Sequence, residues 1–179
     1  MAKKKKHGAV NPTRLASFDK EKKVQVIIET PKGSRNKYAW DPDQKIFVLK
    51  KVLPEGMAFP HDFGFIPSTE ADDGDPLDVL VLMDQPVFTG CLVKARLIGV
   101  IEGKQTEKGK SERNDRLLAV AESSHTHSDI NSVNDLNKDL LKELEQFLVN
   151  YHANDGAEFK VLACKGPSAA VACLEKAVA

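Results

Sequence analysis

The chain has 179 residues, 41% of them hydrophobic and 29% charged, with 26 Lys plus Arg set against 26 Asp plus Glu. This size and composition suit one globular domain with a sizeable core and exclude a disordered chain. The balanced charge offers no bulk attraction to nucleic acid or an anionic surface, and no apolar run approaches the ~18 residues that cross a bilayer.

The first 20 residues are polar and aperiodic, and are expected to form a flexible tail ahead of a single domain over 21–179. The lysines at 3–6 read as solvated tail charge, because no aromatic or apolar residues interleave them. Nothing after them has the apolar core of a signal peptide. Cys91, Cys164 and Cys173 are too few and too scattered for a disulfide framework or a zinc site. Reduced core thiols and a cytoplasmic location are expected.

Residues 24–29 (VQVIIE) are rich in β-branched side chains and predict a strand, followed by a turn-rich loop over 31–36. Residues 46–49 predict a second strand, and Pro54-Glu55-Gly56 a turn. Residues 59–66 are aromatic and extended. After an acidic loop, residues 77–82 (LDVLVL) predict a short buried strand. Residues 91–101 predict a long strand with Gly99 as a bulge, residues 103–114 a charged mobile loop, and residues 116–121 another strand. Leu136, Leu140, Leu141, Leu144, Phe147, Leu148 and Tyr151 then recur at helical spacing, with Asn134 or Asp135 as the cap. Residues 159–163 return as a strand, and Pro167 opens an Ala-rich helix. Strands first and helices late predict an α+β fold.

The chemistry concentrates in Asp72, Asp73, Asp75 and Asp78, four carboxylates within seven residues. Gly74 permits a tight turn and Pro76 keeps the next step extended. Asp78 stands at the head of an apolar strand, so it is carried toward the core. Clustered carboxylates repel and raise one another's pKa unless a cation intervenes, and a hard divalent ion such as Mg²⁺ answers that need. A solvated Asp-rich turn would account for Asp72 and Asp73 alone, but less well for Asp78. An EF-hand loop from Asp73 would need Gly where Asp78 stands, an Asp-x-Asp site would follow an apolar strand where 68–71 are polar, and a Gly-rich P-loop is missing from the sequence.

The segment Asp73-Gly74-Asp75-Pro76-Leu77-Asp78-Val79 resembles the signature of the soluble (family I) inorganic pyrophosphatases. The similarity runs from about Val24 to Tyr151 and takes in Ile28-Glu29-Thr30-Pro31 with Lys37-Tyr38, the stretch from Phe59 to Ile66, and Leu117-Leu118-Ala119-Val120. The resemblance implies a five-stranded OB-like β-barrel flanked by two helices, Mg²⁺-dependent hydrolysis of pyrophosphate to two phosphates, and a homo-oligomer. It implies Asp73, Asp78 and Glu29 as metal ligands, Asp75 as the base near the nucleophilic water, and Lys37, Lys50, Arg116 and Tyr151 as phosphate contacts. Surface charge remains an equal account of Glu29 and Lys37, and Tyr151 sits on the apolar stripe of a helix, where a core tyrosine is common.

Several positions depart from the family pattern. Ala39 stands where the family has Glu, Lys50 where it has Arg, Phe59 and Phe63 where it has Tyr, and His152 where it has Lys. Its Asp-x-Lys falls on Asn114-Asp115-Arg116, so that a metal carboxylate becomes Asn114 unless Asp115 takes its place by a local shift. Glu107 and Glu112 are the remaining acids of the lengthened loop. The departures leave open a catalytically weak relative that binds a phosphorylated ligand or partner, or a hydrolase for another phosphoanhydride.

Overall fold

The computed structural model describes residues 10–178. The lysine run at 3–6 lies outside the described residues. Nine strands and two helices follow in chain order: β1 (Val24–Thr30), β2 (Asn36–Asp41), β3 (Ile46–Val52), β4 (Asp62–Phe65), β5 (Asp78–Leu82), β6 (Leu92–Glu107), β7 (Lys110–Arg113), β8 (Arg116–Ala121), α1 (Lys138–Ala153), β9 (Glu158–Lys165) and α2 (Pro167–Ala177).

Five strands close on themselves in the order β1-β4-β5-β8-β6, and β6 returns to pair with β1. The β5–β8 pair is parallel and the other pairs of the ring are antiparallel. This is the expected α+β architecture, a five-stranded OB-like barrel with two helices. The long strand β6 is the hub, since it also carries β7 and β9 on its outer half. β2 and β3 form a separate hairpin beside β1.

Alternate strand residues feed two apolar clusters. Val79 and Val81 join Leu117 and Ala119 with Ala170 and Leu174 of α2. Leu80 and Leu82 join Leu118 and Val120 with Leu144 and Leu148 of α1. β8 is buried on both faces along its whole length, which explains its continuous apolar sequence. Gly64 is required by close approach: a Cβ there would lie 1.9 Å from the Ile27 carbonyl oxygen of the neighbouring strand. The Gly99 bulge falls as expected, in the register shift between Leu97 and Gly99.

The structure corrects two readings and adds a strand. Residues 103–114 are an ordered hairpin, the end of β6 turning through Lys108 (φ 49) and Gly109 (φ 80) into β7. Charges on both faces had masked its alternation, while Lys110–Glu112 and Thr106–Ser111 contacts support it. Residues 36–41 form β2, its two-residue period hidden by a mixed composition. α1 is capped by Asn137, while Ser132 and Asp135 close a capping box around a separate 3₁₀ turn, Val133–Asp135. Ahead of the barrel, Ser17 Oγ donates to the Pro67 carbonyl at 2.7 Å and Asp19 pairs with Lys94 at 2.6 Å.

Candidate active site

Two bulges aim the first residues of the site. The β1–β4 register shifts between Ile28 and Thr30, and Glu29 between them turns its carboxylate toward the β2–β3 hairpin. It accepts from Trp40 N at 2.9 Å and from Lys37 Nζ at 2.8 Å. Lys37 Nζ also lies 4.2 Å from the centre of the Phe63 ring. The β2–β3 register shifts at Lys37/Tyr38, so that Lys37 faces Lys51 while Tyr38 faces Leu49, and Lys50 is the extra residue. Lys51 therefore shares the face of Lys37, with its Nζ 3.7 Å from the centre of the Tyr151 ring and ion-paired to Asp155. Lys50 is exposed.

The acidic loop comes from the other side. Gly74 (φ 86) makes the turn, and Asp73 Oδ1 accepts from Asp75 N at 3.1 Å. Partial loss of hydration raises the Asp75 carboxyl above its ordinary value, and the like charges of Asp73 and Asp78 raise it further, against the pull of Arg116 and Lys50. These groups therefore share one electrostatic neighbourhood. Asp78 opens β5 beside the first residue of β8, because the parallel register aligns Val79 with Leu117. Arg116 Nη2 meets Asp78 Oδ2 at 3.2 Å, and its Nη1 donates to Asn114 Oδ1 and to the Asp115 carbonyl.

Burial, first of all, pushes the Tyr151 hydroxyl up, with further contributions from Asp155, Asp78 and Glu29 that Arg116 opposes. The phenol stays protonated and able to donate. Burial also pushes the His152 imidazole down to about 4, with Arg116 and Lys51 adding to it, and its ring stacks on Phe159 at 4.7 Å. Phe59 and Phe63 are buried in a cluster with Phe147 and Tyr151, apolar packing at the two positions where the family pattern has tyrosines.

Tyr151 is thus within electrostatic reach of Asp78, Arg116 and Glu29, the last paired with Lys37, and Asp75 is within reach of Asp73, Asp78, Arg116 and the exposed Lys50. The Asp115 carboxylate turns from Arg116 to Arg113: its Oδ1 accepts from Arg113 Nε at 2.6 Å and from Gly103 N at 3.0 Å, in an ion cluster with Glu102 and Lys165. It shares a cavity of about 600 Å³ with Asp73, Asp78 and Arg116, closed on its far side by α2. Sequence reasoning missed Lys51 and Asp155. The signal for Lys51 is the bulge, which one extra residue in β3 creates and which spacing alone does not reveal.

Among the described residues, no three His, Cys, Asp or Glu side chains converge closely enough to hold a metal ion; Asp78 is paired with Arg116, Glu29 with Lys37 and Asp115 with Arg113. The donor chemistry nevertheless fits a hard divalent ion. Asp73, Asp75 and Asp78 offer only oxygen, and their mutual repulsion is the one a dication relieves.

Residues 26–179 match the family model described as inorganic pyrophosphatase. An inorganic pyrophosphatase of Synechocystis sp. is 37% identical over 166 residues, covering 93% of this chain and 96% of that protein. One from Methanosarcina acetivorans is 37% identical over 158 residues, covering 88% and 92%. The crystal structure of inorganic pyrophosphatase from Thermus thermophilus superposes with a TM-score of 0.86 at 34% identity, covering 94% of this chain and 97% of that one.

Proposed function

This chain belongs to the inorganic pyrophosphatase family, and from that premise we propose that it hydrolyses pyrophosphate to two phosphates with Mg²⁺ as its metal ion. The observation that carries the reading is the Asp75 carboxyl, raised by partial burial and then by Asp73 and Asp78, within the field of the Arg116 guanidinium. A base needs a pKa lifted toward the working range and a cation beside it to receive an anion.

Asp73 and Asp78 are the proposed metal ligands, with Asp115 on the same cavity, and Glu29, paired with Lys37, is the proposed support of an outer ion. Lewis-acid neutralisation of phosphate oxygen and activation of water are what a divalent ion supplies when bound there. Asp75 accepts the proton of the attacking water. Lys37 and Arg116 hold the charge that develops on the leaving phosphate, joined by Lys51 from the same face as Lys37, while the exposed Lys50 adds only its field through solvent. Tyr151, kept protonated by burial, donates to a phosphate oxygen. His152 is neutral near pH 7 and adds no cation.

Phosphate release from pyrophosphate, measured with and without Mg²⁺, tests the reading. Release no greater than a boiled control across Mg²⁺, Mn²⁺ and Zn²⁺ would sink it. The buried Phe59 and Phe63 support a second reading, a weakly active relative that binds a phosphorylated ligand. Tight phosphate binding with negligible turnover would favour that one.

We also infer a homo-oligomer, from family membership, and a cytoplasmic location, which the three free cysteines fit. Light scattering that gives a monomer of 19.7 kDa rejects the first. Recovery of the protein from an exported fraction rejects the second. Among the described residues, no helix is long and apolar enough to cross a membrane.

A further inference from the structure

We propose that Gln105 is a positioning residue that sets how firmly Arg116 is held against Asp78, and thereby how tightly Asp78 takes a metal ion. This rests on the metal-ligand role given to Asp78 above.

A guanidinium carries donors only, so whatever faces Arg116 must present an acceptor. Asn114 has one acceptor end and one donor end. Its carbonyl oxygen accepts from Arg116 Nη1, which turns its NH₂ outward to Gln105 Oε1 at 2.5 Å. With the Gln105 carbonyl in place, Asn114 is held in this orientation. Inverting Asn114 would set its NH₂ against the guanidinium, donor against donor. Near the end of β6 the backbone of Gln105 is held on both sides, paired to Glu112 of β7 and to Phe159 of β9.

The result is a four-residue chain, Gln105–Asn114–Arg116–Asp78, reaching from the outer half of β6 to the head of β5. Arg116 is fastened by Asn114 and by the Asp115 carbonyl at 3.0 Å, and its other nitrogen reaches Asp78. Its side chain is only 7% exposed. A cation so placed occupies an oxygen of the carboxylate that a dication would use, and repels that dication. The same fastening fixes the guanidinium fork for phosphate. The relay thus trades metal affinity for a pre-positioned arginine.

Gln105→Ala removes the acceptor without touching any group in contact with substrate. Loosening one hydrogen bond of this kind changes an equilibrium by roughly two- to tenfold. In calorimetric titration of the pyrophosphate-free protein with Mg²⁺, Gln105→Ala is expected to lower Kd by that factor. In steady-state assays it is expected to raise KM for pyrophosphate by a similar factor, with a smaller change in kcat. A merely damaged fold would move Mg²⁺ affinity the other way. In an Asn114→Ala background, Gln105→Ala is expected to change neither quantity further, as a double-mutant cycle requires of a residue that acts through Asn114.

Mg²⁺ affinity that is unchanged or weakened in Gln105→Ala overturns the proposal. So does an equal effect in the Asn114→Ala background, or a wild-type protein that takes up no Mg²⁺. A protein that shows the expected shift but releases no phosphate fails as a hydrolase and leaves the relay standing. Turnover without the shift overturns the relay alone.

Discussion

Glu29 and Lys37 hold each other at 2.8 Å with side chains only 10% and 11% exposed, and each has a second partner, Trp40 N for Glu29 and the Phe63 ring for Lys37. Removing one member of a buried pair leaves an uncompensated charge, which costs about 3–5 kcal/mol. Lys37→Met should therefore lower unfolding free energy by several kcal/mol as well as impair turnover. Double replacement by Gln at 29 and Met at 37 should recover part of that stability. Urea unfolding of the three variants checks this. A Lys37→Met protein as stable as wild type would show that the pair is solvated in solution.

Asp75 and Asp78 separate by role. Asp78→Ala removes a proposed ligand and should weaken Mg²⁺ binding in a calorimetric titration. Asp75→Asn removes the proposed base and should leave that binding nearly intact while lowering kcat on the order of 10²-fold or more. Equal loss of metal binding in both variants would contradict the assignment.

Two buried imidazoles make stability depend on pH. Burial, first of all, holds His61 and His152 down to about 4 against an ordinary 6.5, with Lys32 and His127 adding at His61 and Arg116 and Lys51 at His152. Both folded values are depressed, so the unfolded chain binds the protons first. The stabilisation is complete above pH 6.5 and is lost as pH falls toward 4. Each ring contributes on the order of 2–3 kcal/mol across that window. Urea midpoints at pH 8, 6 and 4.5 should fall accordingly, and His152→Leu should flatten the slope. An unchanged slope in that variant would show that His152 titrates normally.

Gly64 of β4 lies tight against the backbone of β1. Its missing Cβ would lie 1.9 Å from Ile27 O and 2.9 Å from Ile28 Cα, both backbone atoms that no rotamer change can move. Gly64→Ala must push the strands apart one residue from Phe63 and near Glu29. A loss of more than about 3 kcal/mol is expected, in the range of severe overpacking. Thermal unfolding within a few degrees of wild type would mean that the barrel yields here.

The parts of the fold legible in the sequence are those where one physical pattern dominates. β1, β5 and β8 are apolar runs, the leucine stripe of α1 has helical spacing, and Pro167 marks the start of α2. The β6–β7 hairpin was not legible because Lys, Glu, Gln and Thr occupy both of its faces, leaving no apolar period. The acidic loop announced itself by composition. The position of Asp115 did not, because whether Asn114 or Asp115 faces Arg116 depends on side-chain direction at the end of a hairpin that the sequence hid. Asn114 faces it, and Asp115 turns to Arg113 and the Gly103 amide. Lys51 was missed for a related reason: a one-residue bulge inverts which lysine of the pair looks inward.

That inversion is open to a direct comparison. Lys50 and Lys51 are neighbours of equal charge, so bulk electrostatics treats them alike. The bulge sets Lys51 opposite Lys37, with its ammonium over Tyr151 and ion-paired to Asp155, while Lys50 stays exposed near Asp41 and Asp75. A contact with a charged phosphate oxygen contributes about 1.5–3 kcal/mol, or roughly tenfold and upward in kcat/KM. An exposed lysine acting through solvent contributes about 0–1 kcal/mol. Lys51→Met should thus lower kcat/KM for pyrophosphate about tenfold or more, and Lys50→Met by less than about threefold. The ordering should persist as salt is raised, because screening weakens the exposed charge more than the packed one. If Lys50→Met proves the more damaging, the bulge lies one residue away in solution and Lys50 is the phosphate contact. If both changes are small, the hairpin face is not part of the substrate site, and Lys37 and Arg116 carry the anion between them.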